Sequence, residues 1–154
     1  MKILITTDIP INFTCGLTYF IKRYALLLQN KGHEIMIMCP STSLRSRNYT
    51  SKEGLAIHGI SSIPALVQKD LRVSPPLTIK RTIEKTIKKF NPDVLHVQTH
   101  FFISYTALTI AKEMGIATMG TNHFMPENVF HHLHLPKQFE SALNKIGWRH
   151  LHYI

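Results

Sequence analysis

Histidine is the side chain in this sequence best suited to chemistry near neutral pH, and ten occur in 154 residues. His123 stands in Thr121-Asn122-His123-Phe124, directly after an apolar run. A neutral imidazole there can accept a hydrogen bond from a hydroxyl, donate one, or polarise a leaving group. It can equally be held by a backbone hydrogen bond and touch no ligand. Gln98-Thr99-His100 follows a second apolar run, VLHV. His100, at the end of that run, fits either reading, whereas His96 within it is expected to be a core histidine with satisfied hydrogen bonds. His131, His132 and His134 crowd into HHLH, where neighbouring residues point in different directions. No HExxH or CxxC pattern accompanies them, so a solvated surface is expected and no metal site.

Gly16 is the remaining candidate. It precedes an amphipathic segment, where exposed backbone N–H groups and the helix dipole suit a phosphate. It also reads as a plain turn glycine. One glycine is not a G-x-G-x-x-G fingerprint, and the second apolar run ends in Cys39-Pro40-Ser41 without an acid. Both features argue against a dinucleotide oxidoreductase.

The elements that must carry these residues follow from periodicity. Ile3–Thr7 is expected to be a buried strand, broken at Asp8 and Pro10. Thr18–Lys31 has an apolar face (Phe20, Ile21, Tyr24, Ala25, Leu27, Leu28) and a polar one (Lys22, Arg23, Gln29), which predicts a helix with Gly32 at its left-handed end. Glu34–Cys39 predicts a second strand stopped by Pro40, parallel to the first because such crossovers are right-handed. Ser41–Gly54 is polar and irregular, Leu55–Ile60 suggests a third strand, and residues 61–77 carry three prolines and no clear period. A helix is expected to start near Thr78 as N-cap, with Ile79, Ile83, Ile87 and Phe90 as its stripe and Pro92 ending it.

The stretch Asn91–Pro126 then reads as one β-α-β unit: strand Val94–Val97, helix Ser104–Met114 closed by Gly115, strand Ala117–Thr121. Beyond it, Pro136 suits the first turn of a helix with Phe139, Leu143 and Ile146 inward. Alternating strands and helices mean an α/β, Rossmann-like, doubly wound and mainly parallel sheet. In such sheets ligands bind outside the carboxyl ends of the strands. Residues 8–16, 98–102 and 122–126 are therefore expected to converge on one crevice.

Composition bounds the function classes. The chain is long enough for one domain with a full core, and no apolar run reaches the roughly 18 residues that span a bilayer. MKILITTDIP is too short and too strand-like for a secretory signal. Two cysteines, Cys15 and Cys39, make no disulfide framework and are expected to be reduced thiols of a cytoplasmic protein. Lys plus Arg exceed Asp plus Glu by 18 to 9, a net charge of +9. That excess suits nucleic acid, an anionic membrane or a phosphorylated ligand, and charge alone does not choose among them; no nucleic-acid motif accompanies it, so nucleic acid is not the expected partner. The basic side of the helix over residues 78–90 (Lys80, Arg81, Lys85, Lys88, Lys89) suits an anionic surface, though most such faces are merely solvated.

DIPINFTCGLTYFIKRYALLLQNKGHEIMIMCPS, followed by PDVLHVQTHFF and AKEMGIATMGTNHFMPENVFHHL, resembles the N-terminal domain of family 4 retaining glycosyltransferases of the GT-B fold. The likeness includes members that glycosylate diacylglycerol and mannosyltransferases, and it is thinnest over residues 41–76. It implies that residues 1–154 form the acceptor-side Rossmann-like domain, with a second, nucleotide-sugar domain outside the sequence. It implies that Gly16 and Leu17 lie near the donor phosphates and that His123 is the catalytic histidine facing the transferred sugar. Gln98, Thr99, His100, Asn122 and Phe124 would line the acceptor side. The reaction implied is hexose transfer from a nucleotide sugar to a lipid or sugar acceptor with retention, without cofactor or metal, on the cytoplasmic side of a membrane. The first loop has one glycine where many members have two. The alternative is a non-catalytic remnant, or a nucleotide-binding Rossmann domain without transferase activity.

Overall fold

In a computed structural model, residues 1–65 and 72–123 are described, and the chain divides into two compact units, Met1–Thr121 and Asn122–Ile154. The first unit holds a six-stranded sheet. Its strands are β1 (Lys2–Thr6), β2 (Glu34–Pro40), β3 (Arg47–Thr50), β4 (Ala56–Ile60), and, beyond a small hairpin-like pair β5 (Ile63–Pro64) and β6 (Arg72–Val73), β7 (Val94–Val97) and β8 (Ala117–Gly120). Among the described residues three helices connect them: α1 (Gly16–Asn30), α2 (Pro76–Phe90) and α3 (Phe102–Glu113). The sheet order is β3-β4-β2-β1-β7-β8, all parallel except β3 against β4. This is the α/β, doubly wound arrangement that the alternation of elements predicts.

The two central strands, KILIT and EIMIMCP, are near-continuous apolar runs because both of their faces are covered. Alternation along them separates two cores. Ile3, Ile5, Ile35, Ile37, Cys39 and Ile57 point to one side, where Ile21 and Ala25 of α1 close over them. The connection β7-α3-β8 runs across the sheet in the direction opposite to β1-α1-β2, so right-handed crossover puts α3 on the other face. α2 packs against α3 there. Its stripe Ile79, Ile83 and Ile87 is fully buried, each side chain contributing roughly 1.5–3 kcal/mol relative to exposure. α1 and α3 are followed by Gly32 (φ 83°) and Gly115 (φ 68°) in the left-handed region, and α2 ends on Asn91 (φ 50°), a residue that tolerates this conformation.

Several expectations are corrected. The polar stretch 41–54 contains a strand, β3, because the edge of β4 offers it an antiparallel partner: Asn48 opposite His58, Tyr49 opposite Ile57. α2 starts two residues before Thr78, with Pro75 as N-cap and Pro76 in the first turn, where proline's missing N–H costs nothing. Its end agrees with expectation: Asn91 is the C-cap, directly before Pro92. The proline-rich stretch 61–77 contains the short antiparallel pair β5–β6. Gly59 within β4 sits against Ser41, whose Cβ would lie 3.1 Å from a Cβ at that position; a close backbone approach explains a glycine inside a strand. The expected helix after Pro136 and the histidines of HHLH lie outside the described residues.

Cys39 and Cys15 are both free thiols. Burial pushes the Cys39 thiol up to about 11, against hydrogen bonds with Ile11 and Tyr49 that favour the thiolate. Burial, and then the nearby Cys39, raise the Tyr49 hydroxyl to about 12.

Candidate active site

β1 and β7 are adjacent and parallel, with Thr6 beside Val97, so the loops that leave them are neighbours at the carboxyl edge. Backbone bonds fix both departures: Gln98 N–H donates to the Thr6 carbonyl (2.9 Å) and Thr7 N–H to the Met38 carbonyl (3.0 Å). The first loop then turns at Phe13, whose N–H reaches the Pro10 carbonyl (2.9 Å), while Ile11 is buried in the α1-side core.

Asp8 joins the two loops. Its carboxylate accepts from the Thr99 hydroxyl (2.6 Å), the Phe101 N–H (3.2 Å) and the Ile103 N–H (2.6 Å). The Thr99 oxygen in turn accepts from the Asp8 N–H (2.8 Å) and meets the Ser104 hydroxyl (2.9 Å). Phe101 is the N-cap of α3 and supplies no side-chain bond of its own. The Asp8 carboxylate therefore satisfies N–H groups that the helix leaves open and sits at the positive end of its dipole.

α1 begins differently. Cys15 is its N-cap, and the buried Thr18 organises the first turn, its oxygen accepting from Cys15 N–H (3.3 Å) and its hydroxyl directed at the Phe13 (2.5 Å) and Cys15 (3.0 Å) carbonyls. No acid lies in that turn. Gly16 is exposed, and a Cβ built on it would meet nothing within 4 Å. Leu17 is half-buried beside the α1-side core. Beside this loop, Pro10, Asn12, Phe13, Thr14, Thr42 and Arg72 line a groove of about 400 Å³. The Arg72 guanidinium is anchored there by the Ser62 hydroxyl (2.8 Å) and carbonyl (2.7 Å).

The remaining residues singled out in the sequence separate into two groups. Gln98 and Thr99 are buried, and their side chains are engaged inside the unit: the Gln98 amide nitrogen meets Nε2 of His96 at 2.9 Å, and Thr99 belongs to the Asp8 network. His96 is the core histidine that its place in VLHV predicts, 2 % exposed, bonded also to the Thr121 hydroxyl (2.8 Å) and edge-on to Tyr24. His100 is half-buried against the Phe101 ring. Thr121 N–H donates to the Val97 carbonyl (2.9 Å), which carries the end of β8 past that of β7. Asn122 and His123 follow and open the second unit; both are exposed. Desolvation by its surroundings lowers the pKa of the His123 imidazole, which favours the uncharged ring that can accept a proton. Phe124 lies outside the described residues. Among the described residues no cluster of three or more His, Cys, Asp or Glu side chains could hold a metal ion.

Two residues at this edge escape a sequence reading. Asp8 looks like a strand-breaking loop residue, since its partners are 91 to 95 positions away. Arg72 sits in a stretch without periodicity and reaches the first loop through folding alone.

Comparison with known proteins adds a family. Residues 15–153 match the Glycosyltransferase Family 4 sequence family. The alpha-monoglucosyldiacylglycerol synthase of Streptococcus pneumoniae is 25% identical over 136 residues, 86% of this chain and 29% of that protein. The GDP-mannose-dependent alpha-mannosyltransferase of Mycolicibacterium smegmatis is 23% identical over 124 residues, 78% of this chain and 32% of the relative. The chain thus spans about a third of the length of these curated relatives. Among solved structures, a sucrose-phosphate synthase from Thermosynechococcus elongatus superposes with a TM-score of 0.59 at 9% identity, over 94% of this chain and 39% of the other. The glycosyltransferase VinC, solved with dTDP, gives 0.54 at 14% identity, over 77% and 33%.

Proposed function

The chain belongs to glycosyltransferase family 4, as an N-terminal domain of the GT-B fold, and from that premise we propose that it is the acceptor-side part of a retaining hexosyltransferase. The reaction is transfer of a hexose from a nucleotide sugar to a hydroxyl of a lipid or carbohydrate. The observation that carries the reading is the open start of α1. An acid-free first turn and an exposed Gly16 with unfilled space around it leave backbone N–H groups free to approach a diphosphate.

In this reading Gly16 and Leu17 meet the donor phosphates, and Arg72, a short way along the same edge, adds positive charge. The departing nucleoside diphosphate gains negative charge as the glycosidic bond breaks, which fixed N–H dipoles and cations stabilise. That work needs neither metal nor cofactor. His123, as the uncharged ring, faces the transferred sugar, while Asn122, Phe124 and His100 border the acceptor. Gln98 and Thr99 serve that side by holding the β7–α3 loop in place. Most donor contacts belong to a second domain, as in other GT-B enzymes. The named activities of the two curated relatives, a glycolipid synthase and a mannosyltransferase, support a hexose donor and a lipid or sugar acceptor.

A lipid acceptor would bring the protein to the cytoplasmic face of a membrane. Among the described residues no helix is long and apolar enough to cross one; contact of this domain would run through basic side chains, worth about 1 kcal/mol each near an anionic surface.

The test is a two-domain protein carrying this chain, assayed with labelled nucleotide sugars against diacylglycerol vesicles and free sugars. His123→Ala is expected to lower turnover about a hundredfold or more, with donor affinity nearly unchanged. Turnover equal to that of the parent protein would remove His123 from the reaction.

A further inference from the structure

A groove of about 710 Å³, larger than the one beside the first loop, runs between α2 and the β2–β4–β3 side of the sheet and reaches the first residues of β1 and β2. It therefore lies toward the amino edge, away from the edge at which sugar transfer is proposed. One wall is a ridge of α2. Arg81, Lys85 and Lys89 follow one another at four-residue spacing, which stacks them along a single line about 12 Å long. Thr82 and Thr86 form the adjoining row, next to the buried stripe of the helix.

Charge in the groove is unbalanced. Among the described residues its one lining carboxylate, Glu34, is ion-paired with Lys2 at 3.6 Å, and Glu84 on α2 is ion-paired with Lys88 at 2.6 Å. Among the described residues no carboxylate forms an ion pair with Arg81, Lys85 or Lys89. The opposite wall carries His58, held by Asn48 at Nδ1 and by the Thr86 hydroxyl (3.0 Å) at Nε2. The Thr86 hydroxyl also reaches the Thr82 carbonyl (2.8 Å). His58 is thereby fixed with its ring edge beside the cationic ridge. Its pKa is lowered first by burial and next by Lys89, which lines the same groove.

We propose that this groove binds a phosphate-bearing anion. The Arg81 guanidinium, the Lys85 and Lys89 ammonium groups and the Thr82 hydroxyl are donors of the kind that phosphate oxygens take, beside a wall stiffened by the His58–Thr86 bond. The ridge is long enough to accept two phosphate groups in line. The same chemistry is presented by a soluble phosphorylated metabolite and by the headgroup of an anionic phospholipid. The site does not depend on the sugar-transfer reading, and it differs from a diffuse membrane contact in being concave and saturable.

The test uses the whole chain, isotope-labelled, titrated with inorganic pyrophosphate and, separately, with vesicles of phosphatidylcholine with or without phosphatidylglycerol. Arg81→Gln/Lys85→Gln/Lys89→Gln is compared with Lys31→Gln/Lys52→Gln/Lys112→Gln, which removes equal charge from exposed positions outside the groove. The expected result is saturable binding, amide shifts at Asn48, His58, Thr82 and Thr86, and a loss of about tenfold or more in the groove variant only. Binding of pyrophosphate identifies a soluble ligand; binding confined to phosphatidylglycerol vesicles identifies a headgroup. Equal losses in the two triple variants, shifts confined to residues 15–18, or no saturable binding of either probe would overturn the site. Arg81→Gln alone serves as the folded reference if the triple variant loses its circular dichroism signal.

Discussion

Two helices, α1 and α3, begin side by side in the chain's logic, each following a parallel strand at the carboxyl edge, yet their first turns are furnished differently. α3 has no acid of its own, and Asp8 from the preceding β–α unit supplies one, bonding the N–H groups of Phe101 and Ile103. α1 caps itself through Cys15 and Thr18 and receives no carboxylate from its first turn. The electrostatic demand of a helix start is the same in both. In α3 it is met within the fold; in α1 the positive end is left facing solvent. A helix start already holding a carboxylate has no use for a ligand anion, so the difference assigns the two loops unlike duties. One is structural and couples β1 to α3, and the other is available for a phosphate.

The comparison can be broken from either side. The largest effect is expected at Asp8: Asp8→Ala removes three accepted hydrogen bonds, two of them 2.6 Å long, and leaves the start of α3 without its acceptor. A loss of about 2–3 kcal/mol in urea unfolding is expected; a loss under about 0.5 kcal/mol would mean that water caps α3 equally well. Thr99→Ala should cost less, about 1–2 kcal/mol, since Asp8 keeps its bonds to the backbone, and Thr99→Ser should restore most of it.

A smaller effect concerns acid. The folded-state pKa of His58 lies below the unfolded value of about 6.5, so the unfolded chain binds the extra proton. Stability carried by the neutral ring is therefore present above that value and is lost as pH falls through it toward the lowered folded pKa. His58→Gln should flatten the dependence of the urea midpoint between about pH 7.5 and 5.5; an unchanged slope would assign the acid sensitivity to other groups.

The smallest change in stability is expected at Gly16. A Cβ there meets nothing within 4 Å and no positive φ is required, so Gly16→Ala should leave stability unchanged or raise it by up to about 1 kcal/mol. In the two-domain enzyme the same methyl should raise KM for the nucleotide sugar. An unchanged KM would make the opening of α1 a mere turn.

Much of this architecture is legible in the sequence because its signals are local. Ile79, Ile83 and Ile87 announce α2, and the runs ILIT and IMIMC announce β1 and β2, since periodicity reports which faces are covered. β3 is not legible: Arg47-Asn48-Tyr49-Thr50 is short and mostly exposed, and it is a strand only because β4 has a free edge beside it. The start of α2 is misplaced by its sequence signal: Thr78 is the expected cap, whereas Pro76 in the first turn begins the helix two residues earlier. At the site, local pattern marks Gly16 and the residues after β7, as does the family resemblance for His123. It does not mark Asp8, whose meaning lies in residues more than ninety positions away.

The two thiols hold a last consequence. Cys39 is wholly buried, with its pKa raised to about 11, whereas Cys15 is half-buried at the start of α1. Thiol reagents attack the thiolate at an accessible sulfur, so Cys39 can be alkylated only in molecules where the β2 strand has momentarily come away from Ile11 and Tyr49. The chain thus contains its own clock. The rate of labelling at Cys39 times the opening of its innermost layer, while Cys15 gives the rate for a sulfur that needs little or no opening.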